Sequence, residues 1–128
     1  MRCLLDTHVL LWWLTEDKAL SQTSLELIGD PENAIFVSAA SAWEIAVKFA
    51  KGKLPQARLL LADFSSLLAE EGFVDLPITC AQMIGSTRLP GDHKDPFDRI
   101  LAAQAILENM TLISIDPEMS SLGATTRW

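Results

Sequence analysis

The chain has 128 residues, 49% of them hydrophobic and 21% charged, a balance that supports one sizeable buried core and excludes an intrinsically disordered chain. Its 17 acidic against 10 basic side chains leave a net charge of −7, which excludes the bulk positive field of a general nucleic-acid coat protein and makes any grip on phosphate a local matter. Two cysteines, Cys3 and Cys80, are too few for a disulfide framework or a cysteine zinc site; they read as small buried hydrophobes in a reducing, cytoplasmic setting.

In chain order the expected elements alternate. Arg2–Leu5 reads as a strand, followed by helices over His8–Thr15 and Ser21–Gly29. A second strand at Ala34–Ser38 leads to helices over Ser38–Lys51 and Gln56–Glu70, and a third at Phe73–Ile78 to helices over Thr79–Ser86 and Pro96–Asn109. Thr111–Ile115 closes the series as a fourth strand. The strand segments are too short for helices, and all but the first are rich in β-branched or aromatic residues. Turn chemistry marks the breaks: Gly29-Asp30-Pro31, Gly52-Lys53-Leu54-Pro55, Gly72 and Pro90-Gly91-Asp92. Asp6 interrupts any signal-peptide core, and no apolar run nears the ~18 residues of a membrane span. Without repeats or linkers, residues 1–128 read as a single α/β domain whose parallel sheet is covered by helices on both faces. Ligands in such folds collect beyond the carboxyl ends of the strands.

Acidic residues fall at three places on that edge. Asp6 follows the first strand, Asp95 and Asp98 head the last long helix, and Asp116 follows the fourth strand. Each suits helix capping: Asp6 before Thr7, Asp95 before Pro96, and Asp116 before Pro117. Glu44 sits inside a helix four residues before Lys48, which suits a solvated ion pair worth a few tenths of a kcal/mol. Two features favour chemistry over capping. Asp98 shares its helical face with Leu101, Ala102, Ala105 and Ile106, a stripe expected to pack on the sheet. Asp6 and Asp116 come side by side if their strands are neighbours, and like charges so gathered are commonly resolved by a divalent cation. Oxygen ligation without a histidine or thiolate cluster selects Mg²⁺ or Mn²⁺ over zinc. His8 reads as turned inward in a structural role, and His93 as a supporting or merely solvated loop residue.

Read together, Leu4-Leu5-Asp6-Thr7-His8, Val37-Ser38-Ala39-Ala40-Ser41-Ala42-Trp43-Glu44-Ile45, His93-Lys94-Asp95-Pro96-Phe97-Asp98-Arg99 and Leu112-Ile113-Ser114-Ile115-Asp116 resemble, in order, the motifs of PIN-domain nucleases. Among these the chain is most similar to the VapC-like toxins of type II toxin-antitoxin systems. The resemblance implies a PIN-like three-layer sandwich and a Mg²⁺- or Mn²⁺-dependent ribonuclease that hydrolyses RNA phosphodiester bonds. It puts the catalytic, metal-holding quartet on Asp6, Glu44, Asp98 and Asp116, with Asp95 as a further acid and Thr7 and Ser114 as hydroxyls beside the acids. Pro117-Glu118-Met119 departs from the family's usual ending after the fourth acid. Lys48 and Lys51, with Lys53 and Arg58 nearby, offer a basic strip for the RNA backbone. The resemblance also implies a homodimer and a small antitoxin partner, whose groove would take Trp12 or Trp13 and Leu10 as anchors. The rival reading is a non-catalytic interaction protein in which the acids are only caps.

Overall fold

The protein is described here by a computed structural model covering residues 1–128. Five strands, β1 (Arg2–Leu5), β2 (Ala34–Ser38), β3 (Val74–Leu76), β4 (Thr111–Ile113) and β5 (Thr126–Arg127), form one sheet in the order β3-β2-β1-β4-β5. Every pairing is parallel. Helices α1 (Thr7–Leu14) and α2 (Gln22–Gly29) join β1 to β2. Helix α3 (Ala39–Ala50), a 3₁₀ turn at Pro55–Ala57, α4 (Arg58–Ala62) and α5 (Phe64–Glu71) lead to β3. Helices α6 (Cys80–Ser86) and α7 (Pro96–Leu107) carry the chain across the sheet to β4, and α8 (Pro117–Ser121) leads into β5.

The alternation of side chains along the strands divides the interior in two. Cys3, Leu5, Ile35, Val37 and Ile113 point into one core, closed by Val9 and Leu10 of α1, Ile28 of α2, Ile45 of α3 and Leu68 of α5. Leu4, Leu76 and Leu112 point into the other, closed by Ile100, Leu101, Ala102 and Ala105 of α7 and Met119 of α8. Burial on both sheet faces explains why the central strands read as continuous apolar runs. The result is the expected three-layer α/β sandwich.

Several boundaries differ from expectation for identifiable reasons. The helix expected over Gln56–Glu70 is broken at Asp63, which lies at φ −147° and ψ 55°. An aspartate competes for its own backbone and favours such a break; it lets Leu60, Leu61 and Phe64 all pack on the first core while Leu59 stays 84% exposed. Strand β3 is shorter than Phe73–Ile78 because it is an edge strand and Pro77, which has no N–H, follows it. β5, of two residues, is too short to show a period, whereas the five-residue α8 is signalled only by its Asp116-Pro117 start. β5 exists because Thr125 and Arg127 carbonyls accept the Leu112 and Ser114 amides, at 2.8 and 3.1 Å.

The topology places a crevice. From β1 the chain moves one way to β2, and from β3 it crosses to β4 on the other side of β1. At the carboxyl ends of β1 and β4 the connections therefore diverge, which is where open α/β sheets hold ligands. Leu5 is in register with Ile113 there.

Candidate metal centre

Beyond that register point, the Asp6 amide donates to the Ile113 carbonyl at 3.1 Å, and its Oδ2 accepts the Ser114 hydroxyl at 2.6 Å. Asp6 occupies the N-cap position of α1 but makes no side-chain cap. Its capping explanation fails, because Ser114 draws the carboxylate sideways to β4. Thr7 is buried beneath it, with its Oγ1 2.9 Å from Ser41 Oγ of α3. Glu44 lies on the same buried face of α3 as Ser41. Its pairing with Lys48 forms at 2.7 Å, but the glutamate is not solvated: its side chain is 4% exposed. One carboxylate oxygen, Oε1, is buried without any hydrogen-bond partner.

Asp98 sits half-buried in the first turn of α7 and leaves the capping of that helix to Asp95, whose Oδ1 accepts the Phe97 and Asp98 amides at 2.9 and 3.3 Å. Asp98 Oδ2 instead meets His93 Nε2 at 2.6 Å. Asp116 caps α8 with Oδ1, which accepts the Glu118 amide at 2.9 Å, and its own amide donates to Ser114 Oγ at 3.1 Å. The second oxygen, Oδ2, is 4.0 Å from His93 Nε2. His93 Nδ1 faces the Glu118 carboxylate. Ligand atoms of His93, Asp98 and Asp116 all lie within 4.8 Å of one another.

Electrostatics mark the acids as an unresolved cluster. Burial pushes the Asp6 carboxyl above its ordinary range, against the lowering effect of the Ser114 hydrogen bond, and the Glu44 charge adds to the rise. Burial likewise pushes Asp98 up to about 7, with the charges of Asp6, Asp95 and Glu44 acting in the same direction and the His93 hydrogen bond opposing them. The Asp98 bond raises His93 above its ordinary range, while its partial burial opposes that rise. Buried carboxylates that raise one another, together with an acceptor lacking any donor, fit a divalent cation. Asp6, Glu44 and Asp98 are not caps; Asp95 and Asp116 are, but Asp116 commits only Oδ1 and keeps Oδ2 clear of the cap.

The remaining sequence expectations fare unevenly. His8 is exposed and stacks on Trp12 at 5.9 Å between ring centroids, because its place on α1 turns it away from the sheet. Cys3 is buried as expected, but Cys80 is exposed at the head of α6. Lys48 is held by Glu44, which leaves exposed Lys51, Lys53 and Arg58 as the free part of the basic strip. Leu10 is fully buried in the first core and cannot anchor a partner. Trp12 packs on Trp128 at 5.8 Å and Trp13 on Phe73 at 6.2 Å, with Trp13 Nε1 donating to Glu71, so their own chain covers much of both rings.

Two contributors escaped the sequence reading. In the sequence Glu118 reads only as a departure from a motif, yet the start of α8 presents it to His93. Arg99 reaches back from α7 to donate to the carbonyls of Ser86, Leu89 and His93, at 3.0, 2.7 and 2.9 Å. It pins the loop that carries His93. An arginine directly after Asp98 was the available signal, but its partners are carbonyls, which leave no trace in a sequence.

Comparison with known proteins bears on this geometry. The chain covers 99% of itself and 98% of the matched chain in VapBC2 from Rickettsia felis bound to a promoter DNA fragment, at TM-score 0.73 and 17% identity. VapBC-1 from nontypeable Haemophilus influenzae matches over 99% and 97%, at TM-score 0.65 and 15% identity. A toxin-antitoxin complex from Klebsiella pneumoniae matches over 89% and 86%, at TM-score 0.54 and 21% identity. At such identities the likeness establishes the fold. No curated protein sequence matches significantly. The family profile described as PIN domain matches residues 3–124, from β1 through the acids to the end of α8 and the turn beyond it, and the chain therefore belongs to the PIN domain family.

Proposed function

We propose that this chain is a ribonuclease dependent on Mg²⁺ or Mn²⁺, in which Asp6, Glu44, Asp98 and Asp116 form the active site, and that it acts as the toxin of a toxin-antitoxin pair. The observation that carries the reading is the buried Glu44 Oε1 without a partner, beside two acids, Asp6 and Asp98, that burial first and the Glu44 charge in addition push up. A divalent cation there supplies Lewis acidity and a nucleophilic water at neutral pH for in-line displacement at phosphorus.

The chain's own residues hold that chemistry in place. Ser114 fixes one oxygen of Asp6 and leaves the other free, and Lys48 does the same for Glu44. Asp116 is rigid because its Oδ1 is committed to the α8 cap, so only Oδ2 turns towards the crevice. On this reading Glu44 Oε1, buried with no donor of its own, would accept the proton of an attacking water. Exposed Lys51, Lys53 and Arg58 offer local positive charge on a chain of net charge −7, and suit contacts to the RNA backbone. The toxin assignment is supported by the relatives that share the fold, among them one described as a toxin-antitoxin complex. It implies work in the cytoplasm beside a small antitoxin.

The test is cleavage of a mixed RNA pool by the purified chain. Wild type should cut in Mg²⁺ or Mn²⁺ and stop in chelator, while Asp6→Asn and Asp98→Asn should lose on the order of a hundredfold or more and remain folded. Asp95→Asn should retain most activity, since asparagine caps as well as aspartate. Near-full activity in either of the first two variants at limiting metal would overturn the site.

A further inference from the structure

We infer that His93 is a nitrogen ligand of the cation held by Asp98 and Asp116, which makes this centre a mixed nitrogen and oxygen site that favours Mn²⁺ over Mg²⁺. The inference rests on the metal-dependent reading above and names a ligand that an all-carboxylate site lacks. Its ground is geometric. Nε2 lies 2.6 Å from Asp98 Oδ2 and 4.0 Å from Asp116 Oδ2, and ligand atoms of the three residues all fall within 4.8 Å of one another. Ligand atoms about 2.1 Å from one ion stand roughly 3 to 4.2 Å apart, so a small widening of the first distance admits the ion.

The other side of the ring completes the arrangement. A ligating imidazole characteristically donates its second N–H to a carboxylate, which sets the tautomer and turns the lone pair to the metal. Glu118 meets Nδ1 in that role and leaves Nε2 as the coordinating atom. Arg99, by binding the His93 carbonyl, fixes the backbone from which the ring projects. Glu44 is the independent sign that an ion belongs there. Its orphaned oxygen is buried, and its charge acts on both Asp6 and Asp98.

An imidazole nitrogen binds the first-row divalent ions, Mn²⁺ among them though the weakest, better than it binds Mg²⁺, which keeps to oxygen. The full chain loaded with Mn²⁺ should therefore show ¹⁴N coupling by pulsed electron paramagnetic resonance. His8 and His93 are the two histidines of the chain, so the coupling should persist in His8→Ala and vanish in His93→Ala. By calorimetry, His93→Ala should weaken Mn²⁺ binding about tenfold or more and Mg²⁺ binding much less; Glu118→Gln should weaken Mn²⁺ binding while the coupling remains. The Arg99 contacts reach the backbone of residue 93, which alanine keeps. Should His93→Ala still fail to fold, the wild-type and His8→Ala spectra decide the matter. Bound Mn²⁺ without nitrogen coupling, or a coupling that survives in His93→Ala, overturns the ligand role and leaves the nuclease reading standing. Failure to bind Mn²⁺ overturns the ligand role, and failure to bind Mn²⁺ and Mg²⁺ alike overturns both readings.

Discussion

At the scale of single residues, the acids of the crevice destabilise the fold that displays them. Asp98 titrates near 7 in the folded chain but near about 3.9 when unfolded. Between those values the native state holds more protons, so stability falls as pH rises through the interval. His93, raised above its ordinary value, adds stability below about 6.5 that is lost as pH climbs through its folded pKa, which acts in the same sense. In chelator, the unfolding temperature should fall between about pH 5 and about pH 8, and saturating Mn²⁺ should flatten the decline by supplying the missing charge. Calorimetric scans at several pH values check this. A flat profile in chelator, or one that rises, would contradict the electrostatic account. Asp98→Asn should shrink the slope, since an amide neither titrates nor repels its neighbours.

Among the elements, α7 organises the crevice more than any strand does. Its first turn supplies Asp98 to the site, its N-cap Asp95 satisfies the first amides, and Arg99 ties down the preceding loop through three carbonyls. Replacing Arg99 by alanine leaves the Ser86, Leu89 and His93 carbonyls without those donors. The cost should be about 2–4 kcal/mol, seen as an unfolding temperature lower by roughly 5–15 °C. Lysine should not restore it, because a single ammonium cannot span three diverging acceptors. Weaker Mn²⁺ binding should accompany the loss, as His93 is no longer held. Thermal scans and metal titration of the two variants measure both effects. Deeper in the same helix, buried Gln104 accepts from the Ser38 hydroxyl at 2.5 Å and donates to the Pro77 carbonyl and Gln82, linking α7 to β2 and α6.

Over the whole molecule, apolar side chains remain uncovered on both helical layers. Leu59 of α4 is 84% exposed, and Ile84 of α6 and Leu107 of α7 are 53% and 56% exposed. Such residues are costly in a free monomer only where they are contiguous. The proposed toxin role would make the chain a homodimer that also binds a small antitoxin. Light scattering on the chain purified alone should give twice its mass at micromolar concentration. Co-expression with the small open reading frame beside it should yield a complex that no longer cuts RNA or arrests growth. A monomer at high micromolar concentration would contradict the dimer. Harmless expression alone, with no neighbouring product bound, would remove the toxin role while leaving a metal-dependent nuclease.

Local chemistry determined much of this protein before any tertiary contact was considered. Alternating short apolar runs and helical patterns specify a parallel α/β sheet, since parallel neighbours require crossovers. An aspartate followed by proline marks the heads of α7 and α8, because capping and a fixed φ act within one turn. The pairing of β1 with β4 puts the residues that follow them, Asp6 and Asp116, at the same end of the sheet. The tertiary structure alone decided that Asp6 answers to Ser114 rather than to its own helix, that Glu44 is buried with one oxygen unpaired, and that His93 stands between Asp98 and Glu118. These are facts of burial and of distance between segments as far apart as residues 6 and 114. Neither is encoded by spacing along the chain, because both depend on which surfaces the packed layers bring together.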